Sequence, residues 1–343
     1  VSTAIVTGAT GFIGTRLCER LLAEGWRVRA TVRQSSRAEE LRDRGVELVP
    51  CDLSQEGLST AGLQDVEVVF HLAGLTTSAD LARLRKVNRD GTRRLAESLR
   101  RASNPPRVLH VSSIAASGPG LRQQVRRGDE PPVPISNYGR SKLEGERAIA
   151  ELAEHCPITI VRPGVVFGPG DKEGFRIAAP IAKTGIHFVP GWRTPALSVV
   201  YVEDLVTIML RAAADGARLE ASLPDALVGP GVYTAACDAH PTYAQWGRMI
   251  GTAMGRRARV MPIPPRPAKV AGWVAGKLGS GSLHLDKIRE AQVPSWAYFD
   301  PQLASQLSFH FEATLEEQLE QTIRWYREQG WLKPNHGRAA ASA

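Results

Sequence analysis

The chain has 343 residues, 43 basic against 35 acidic side chains and a formal net charge of +8. That length allows two lobes, or one large α/β domain with an appendage. A hydrophobic fraction of 43% and a charged fraction of 23% exclude a wholly disordered chain, a collagen and a disulfide-stapled mini-protein.

No apolar run approaches the ~20 residues of a membrane-spanning helix. The best candidate, Val270 to Leu278, is short and carries Lys277. The opening segment, Val1 to Thr7, is strand-like with no basic stretch before it, so no secretory leader is expected and the cytoplasm is the expected location. Of the basic residues 35 are arginine and 8 lysine. They are spread along the chain with no run of five, which reads as a solvated basic surface. Nucleic acid is therefore not an expected partner, while contact with a membrane surface stays open. Cys18, Cys51, Cys156 and Cys237 show neither C-x-x-C nor metal-ligand spacing, and read as small buried residues of a reducing compartment; no metal site is expected.

In chain order, Thr3 to Val6 reads as a buried strand, Leu17 to Leu22 has helical periodicity, and Val28 to Val32 and Val46 to Val49 read as strands. Val66 to Leu72 is nearly all apolar, as parallel strands buried on both faces require. A helix over Val87 to Leu99, a strand over Arg107 to Val111, a long helix over Tyr138 to Glu154 and a strand over Ile158 to Arg162 follow. This alternation predicts an α/β fold with a doubly wound parallel sheet of Rossmann type. After "VRPGVVFGPGD" proline and glycine become dense, and the helical pieces are Val202 to Ala214, Ala244 to Gly255 and Leu315 to Glu328. Val232 to Ala236 reads as one more strand of the sheet, and the tail from His336 as frayed.

Between the first strand and helix the chain reads Thr7-Gly8-Ala9-Thr10-Gly11-Phe12-Ile13-Gly14. Gly8 permits a tight turn, Gly11 lets a pyrophosphate approach the backbone, and Gly14 lets the helix pack on the sheet. The helix N-terminus then offers free N–H groups to phosphate. The second strand ends at Val32, where an acid would take the ribose hydroxyls of NAD. Arg33 stands there instead, with Arg37 as a second candidate and no acid before Glu39. A guanidinium forks onto a 2′-phosphate, so NADP is the expected cofactor, with NAD as the lesser alternative.

Tyr138 and Lys142 lie four apart on one helix face. A free phenol has a pKa of about 10. A neighbouring ammonium favours its ionised form, so the pair can pass a proton to or from a substrate oxygen. Ser112 and Ser113 end a sheet strand, where ligands of such folds bind, and one of the two hydroxyls is expected on the substrate oxygen. Asn88 either holds backbone groups and water near Lys142 or satisfies local carbonyls. Asp204 reads as a helix N-terminal carboxylate with a structural task.

Together "TGATGFIG", Asp52-Leu53, His71-Leu72-Ala73-Gly74, Asn88 in "VNRDGT", Val111-Ser112-Ser113, Tyr138-x-x-x-Lys142, "RPGVVFGPGD" and "YVEDLV" resemble the extended short-chain dehydrogenase/reductase family, of epimerase/dehydratase type, over about residues 3 to 330. The resemblance implies Asp52 and Leu53 beside the adenine, Leu72, Ala73 and Gly74 along the cofactor, and Pro163, Gly164, Val165 and Val166 at the nicotinamide. It also implies Ser113 as the catalytic serine and Lys142 on the nicotinamide ribose.

It further implies a cofactor domain over 1–168, with 198–239 returning to the sheet, and a substrate lobe over 169–197 and 240–335. Phe188, Trp192, Trp273, Trp296, Tyr298 and Phe299 are candidates to line that lobe. The Gly- and Pro-rich loop Ser117 to Asn137 is a candidate lid. "VRATVR", "SVVYVEDLV" and "SWAYFD" resemble the hydroxysteroid-dehydrogenase and dihydroflavonol-reductase branches. No arginine stands just before Tyr201, where sugar-nucleotide epimerases usually carry one; Arg193 is the nearest. The expected function is an NADP-dependent interconversion of ketone and secondary alcohol on a hydrophobic substrate, steroid-, flavanone- or long-chain-like, with a homodimer as a candidate assembly. The alternatives are a nucleotide-sugar epimerase or dehydratase and a non-catalytic dinucleotide sensor.

Overall fold

The computed structural model describes residues 1–33, 38–78, 80–120, 124–220, 227–263 and 289–333. Its centre is a seven-stranded sheet of β1 (Thr3–Thr7), β2 (Arg27–Val32), β3 (Glu47–Pro50), β4 (Val68–His71), β5 (Arg107–Val111), β6 (Ile158–Pro163) and β7 (Val232–Ala235). The spatial order is β7-β6-β5-β4-β1-β2-β3 and every pairing is parallel. β1, β4 and β6 are buried at every position, as their apolar runs require. Strand order reverses between β1 and β4, so a crevice opens beyond their carboxyl ends.

Helices cover both faces. Phe12–Ala23 buries Leu17, Cys18 and Leu21 against the same core as Leu205, Ile208 and Met209 of Val202–Ala214. Gly91–Arg100 and Asn137–Ala150 cover the opposite face through Leu95, Leu99 and Ile149. The helical stretch expected over Val87 to Leu99 begins earlier, at Leu81, and includes a π-turn over Lys86–Asp90. All four cysteines are buried free thiols, and burial raises each of their pKa values.

A second core joins Lys172–Thr184, Tyr243–Ala253 and Leu315–Glu328 through Ile181, Trp246, Ile250, Leu319, Ile323 and Tyr326. Beside it a two-stranded parallel ribbon pairs Ile186–Pro190 with Arg259–Ile263. The loop before Tyr138 is strapped down in its described part. Arg126, 4% exposed, donates to the carbonyls of Ser117 at 2.6 Å and Pro119 at 3.3 Å, and also to that of Pro131. The Tyr298 hydroxyl donates to the Gly118 carbonyl. The Val270 to Leu278 run, Trp273 and the tail from His336 lie outside the described residues. Among those that are described, no helix is long and apolar enough to cross a membrane.

Candidate active site

The crevice at the strand reversal is one continuous cleft of about 2000 Å³. β1 runs into Gly8, whose φ of +70° lies in the left-handed region, and a Cβ there would sit 2.8 Å from the Ala73 nitrogen. The loops after β1 and β4 therefore touch through backbone alone. The Thr7 hydroxyl ties them further, accepting from the Ala73 nitrogen at 3.0 Å and bonding His71 Nδ1 at 2.7 Å. Gly14 faces the Gly8 carbonyl so closely that a side chain would collide with it. Gly11 precedes the first helix and offers no side-chain cap, which leaves the first-turn amides to an incoming anion. A cradle that a Cβ would fill, at a helix N-terminus, fits a pyrophosphate.

Gly8, Thr10, Gly11, Phe12, Ile13, Gly14, Arg33, Asp52, Leu53, Leu72, Ala73 and Gly74 all line this cleft, and so do Pro163, Gly164, Val165 and Val166. Arg37 lies outside the described residues. The Asp52 carboxylate accepts from the Ser54 nitrogen at 3.0 Å and Gln55 Nε2 at 2.8 Å. Burial alone would raise its pKa. Those hydrogen bonds and the neighbouring charge of Arg33 outweigh burial and hold it low. Arg44, on the cleft wall near this end, was not anticipated, and is paired with Glu40 at 2.6 Å and with Glu19.

Ser113, Tyr138 and Lys142 converge on the cleft from two elements. Ser113 follows β5 and caps the short helix Ile114–Ser117, accepting from the Ala115 nitrogen at 3.2 Å. Its hydroxyl also hydrogen-bonds Tyr138. Ser136 caps the helix that carries Tyr138 and Lys142, accepting from the Gly139 nitrogen at 3.0 Å. Ser112 is buried, and its hydroxyl finds no hydrogen-bond partner among the described residues. Burial pushes the Tyr138 phenol up to about 12, the Ser113 bond opposes this, and the charge of Glu290 adds to it. Lys142, 5% exposed, donates to the Val111 carbonyl at 2.8 Å. Burial draws its ammonium down to about 8, and Glu146 opposes the fall.

Asn88 sits in the π-turn, where the chain widens enough to aim its amide sideways. Its Oδ1 accepts from the Leu75 nitrogen at 2.7 Å, and its Nδ2 donates to the Leu75 carbonyl at 3.0 Å and Ser141 Oγ at 2.9 Å. It thus locks the loop after β4 to the helix that carries Tyr138 and Lys142, the backbone-holding alternative. Asp204, in the first turn of its helix, accepts from Gln318 Nε2 at 2.7 Å, a structural tie.

Of the expected aromatics, Phe188 and Trp296 line the cleft. Tyr298 is fully buried, and Trp192 and Phe299 are exposed. The wall also takes Leu197, Tyr243, Trp246 and Ile263, which were not singled out, and Arg193 is not part of it. Glu290 lines the cleft too and couples to Tyr138. Its backbone is held by Trp296, whose Nε1 donates to the Glu290 carbonyl at 2.7 Å. No spacing in the sequence signals Glu290, because it meets Tyr138 only through the fold.

Comparison with known proteins identifies the relatives of this chain. Residues 4–222 match the model of the NAD-dependent epimerase/dehydratase family. A ceramide reductase of Caulobacter vibrioides is 30% identical over 335 residues, which span 96% of each chain. Sterol demethylase protein B of Methylococcus capsulatus is 34% identical over 227 residues, 64% of this chain and 68% of that one. A solved UDP-glucose 4-epimerase of Thermotoga maritima, with UDP-glucose, superposes with a TM-score of 0.75 at 22% identity, covering 95% of this chain and 99% of its own. The family match spans six of the seven sheet strands, the glycine cradle and the tyrosine–lysine helix: this chain belongs to the NAD-dependent epimerase/dehydratase family, whose cofactor is a nicotinamide dinucleotide.

Proposed function

We propose that this protein is an NADP-dependent reductase of a hydrophobic ketone with a long-chain or ring-bearing body. The observation that carries the reading is the apolar part of the cleft lining, where Phe188, Leu197, Tyr243, Trp246, Ile263 and Trp296 share the cleft with Tyr138 and Arg193 is absent. A nucleotide sugar brings a pyrophosphate that needs cationic partners, whereas an apolar body gains about 25 cal/mol per Å² of surface buried on such a wall. The full-length likeness to a ceramide reductase supports the same substrate class.

In this reading Ser113 and Tyr138, which share a hydrogen bond at the cleft, hold the ketone oxygen. Tyr138, with its pKa near 12, is a protonated phenol at neutral pH and so starts as a donor. As negative charge gathers on the substrate oxygen, the phenol passes its proton there and the Ser113 hydroxyl stabilises what remains. The Gly8–Gly14 cradle would hold the pyrophosphate of a nicotinamide dinucleotide and Pro163 to Val166 its nicotinamide, and in reduced form that cofactor would supply the hydride. In this reading Lys142, one helical turn on, stabilises through its ammonium the phenolate left behind and would bind the ribose. Arg33 is assigned to the 2′-phosphate, which makes NADP the preferred form. Elements within 169–197 and 240–335 form the substrate lobe in this reading.

Epimerisation of a nucleotide sugar is the second reading, favoured by the likeness to the Thermotoga maritima fold. The test is NADPH oxidation with long-chain β-keto amides, 3-ketosteroids and flavanones, run beside epimerisation of UDP- and GDP-sugars. Reduction of an apolar ketone is the expected result. Turnover of a sugar nucleotide alone would replace the first reading by the second.

A further inference from the structure

The ribbon of Ile186–Pro190 and Arg259–Ile263 packs on one side only. Strand alternation turns His187 and Val189 inward, where His187 Nε2 bonds the Tyr243 carbonyl at 3.0 Å. The opposite face holds Phe188 beside Met261, and Ile263 beside Pro190, by register. Phe188 is 45%, Met261 46% and Ile263 38% exposed, and just past the strand Trp192 is 82% exposed. Large apolar side chains gathered on one exposed face mark an interaction surface. Phe188 and Ile263 also line the cleft, so the patch is continuous with the cleft lining.

The charge around it is one-sided. The described residues 174–202 and 239–263 contain seven lysines and arginines and no carboxylate. Lys183 and Arg193 flank one strand of the ribbon, Arg256 and Arg257 precede the other, and Arg259 lies within it; all five are exposed. An exposed tryptophan and apolar neighbours ringed by arginine complement a bilayer surface of anionic headgroups over acyl chains.

We propose that this face docks the protein on an anionic membrane, with Trp192, Phe188, Met261 and Ile263 entering the headgroup boundary and the arginines binding the headgroups. The cleft mouth then opens against the lipid phase. The docking rests on the surface alone; its use, to take a membrane-dissolved ketone, rests on the function proposed above.

The test is co-sedimentation of the full chain with vesicles of phosphatidylcholine alone and of phosphatidylcholine with phosphatidylglycerol. Binding is expected only to the second and should fall as salt is raised. Each basic residue near such a surface contributes roughly fivefold, so the double variant Arg257→Glu, Arg259→Glu should bind at least about tenfold more weakly. Trp192→Ser with Met261→Ser should lose binding similarly. Neither pair lines the cleft, so reduction of a water-soluble short-chain ketone should be unchanged in both. Equal binding to both vesicle types, or none to either, overturns the docking and leaves the reductase reading intact. Vesicle binding with no ketone turned over overturns the reductase reading alone. A dimer in solution that Trp192→Ser with Met261→Ser dissolves also overturns the docking, and assigns the face to a second copy of the chain. If a variant fails to fold, the lipid and salt dependence of the unaltered protein still decides for or against the docking.

Discussion

Lys142 and Glu146 stand one helical turn apart, both buried, and the carboxylate holds up the pKa of an ammonium that burial draws down to about 8. Glu146 is itself gripped from the far side by Arg162, whose Nε and Nη2 donate to it at 2.9 and 2.6 Å. Arg162 is fully buried and also donates to the Leu227 carbonyl at 3.0 Å. The charge of Lys142 is thus set by a row of three buried ions.

That row makes the ammonium sensitive to Glu146. Lys142 loses its proton as pH rises through about 8, and cofactor affinity should fall over the same range. Glu146→Gln removes the opposing charge, so the midpoint should move to lower pH. The same change strands Arg162 and should cost about 3–5 kcal/mol of stability. Glu146→Gln with Arg162→Leu removes the stranded charge and should recover part of that loss while the midpoint stays low. Cofactor titrations across pH check both, and an unmoved midpoint in the double variant excludes the coupling.

Tyr138→Phe keeps the ring and deletes the proton donor. Turnover should fall by about 10²–10⁴ with cofactor affinity near that of the unaltered protein. Lys142→Met should damage both, since Lys142 serves both. Full activity in Tyr138→Phe would remove the tyrosine from the chemistry.

The cradle and the tyrosine–lysine pair were legible because each is local: glycines three apart between a strand and a helix, and two residues one turn apart. The sheet was legible for the same reason, since buried parallel strands write continuous apolar runs. The helix Lys172–Thr184 was hidden by Pro180 within it, although Asp171 at its cap and Gly185 at φ +73° mark both ends. The π-turn at Lys86–Asp90 leaves no trace in a 3.6-residue period, yet it aims Asn88. The far wall of the cleft was least legible, because Phe188, Trp246, Glu290 and Trp296 come to it from segments distant in the chain.

Glu290 should tune Tyr138. Its charge adds to the burial that holds the phenol near 12, so Glu290→Gln should lower that pKa and bring the alkaline loss of activity to a lower pH. The pH profile of kcat/KM reads this directly. Ser113→Ala should act oppositely, because Ser113 favours the ionised phenol. Profiles that shift the same way in both variants would contradict these two roles.

Arg33 should set cofactor choice. Calorimetry with NADPH and NADH should show tighter binding of NADPH, and Arg33→Asp should erase much of the difference. A charge-assisted hydrogen bond contributes about 1.5–3 kcal/mol, so a change of roughly 10- to 100-fold is expected. Equal binding of the two cofactors by the unaltered protein would dismiss the assignment.

His110 should govern stability in acid. Its ring lies 5.1 Å from that of His71, both are buried, and neither His110 nitrogen has a hydrogen-bond partner among the described residues. Burial, with the charge of Lys142, drives His71 down to about 3 and His110 well below its ordinary 6.5. Both are therefore neutral in the fold at pH 5, while in the unfolded chain they take up protons below about 6.5. The unfolded state then binds more protons, so stability falls as pH drops from about 6.5 toward the folded values, by about 1 kcal/mol per pH unit for each histidine. His110→Phe keeps an aromatic ring against His71 and cannot take up a proton in either state. Its melting temperature should match or exceed that of the unaltered protein at pH 8, where the ring nitrogens no longer go unsatisfied, and the advantage should widen at pH 5. Parallel melting curves across that range would show that the buried ring is not what makes the fold acid-sensitive.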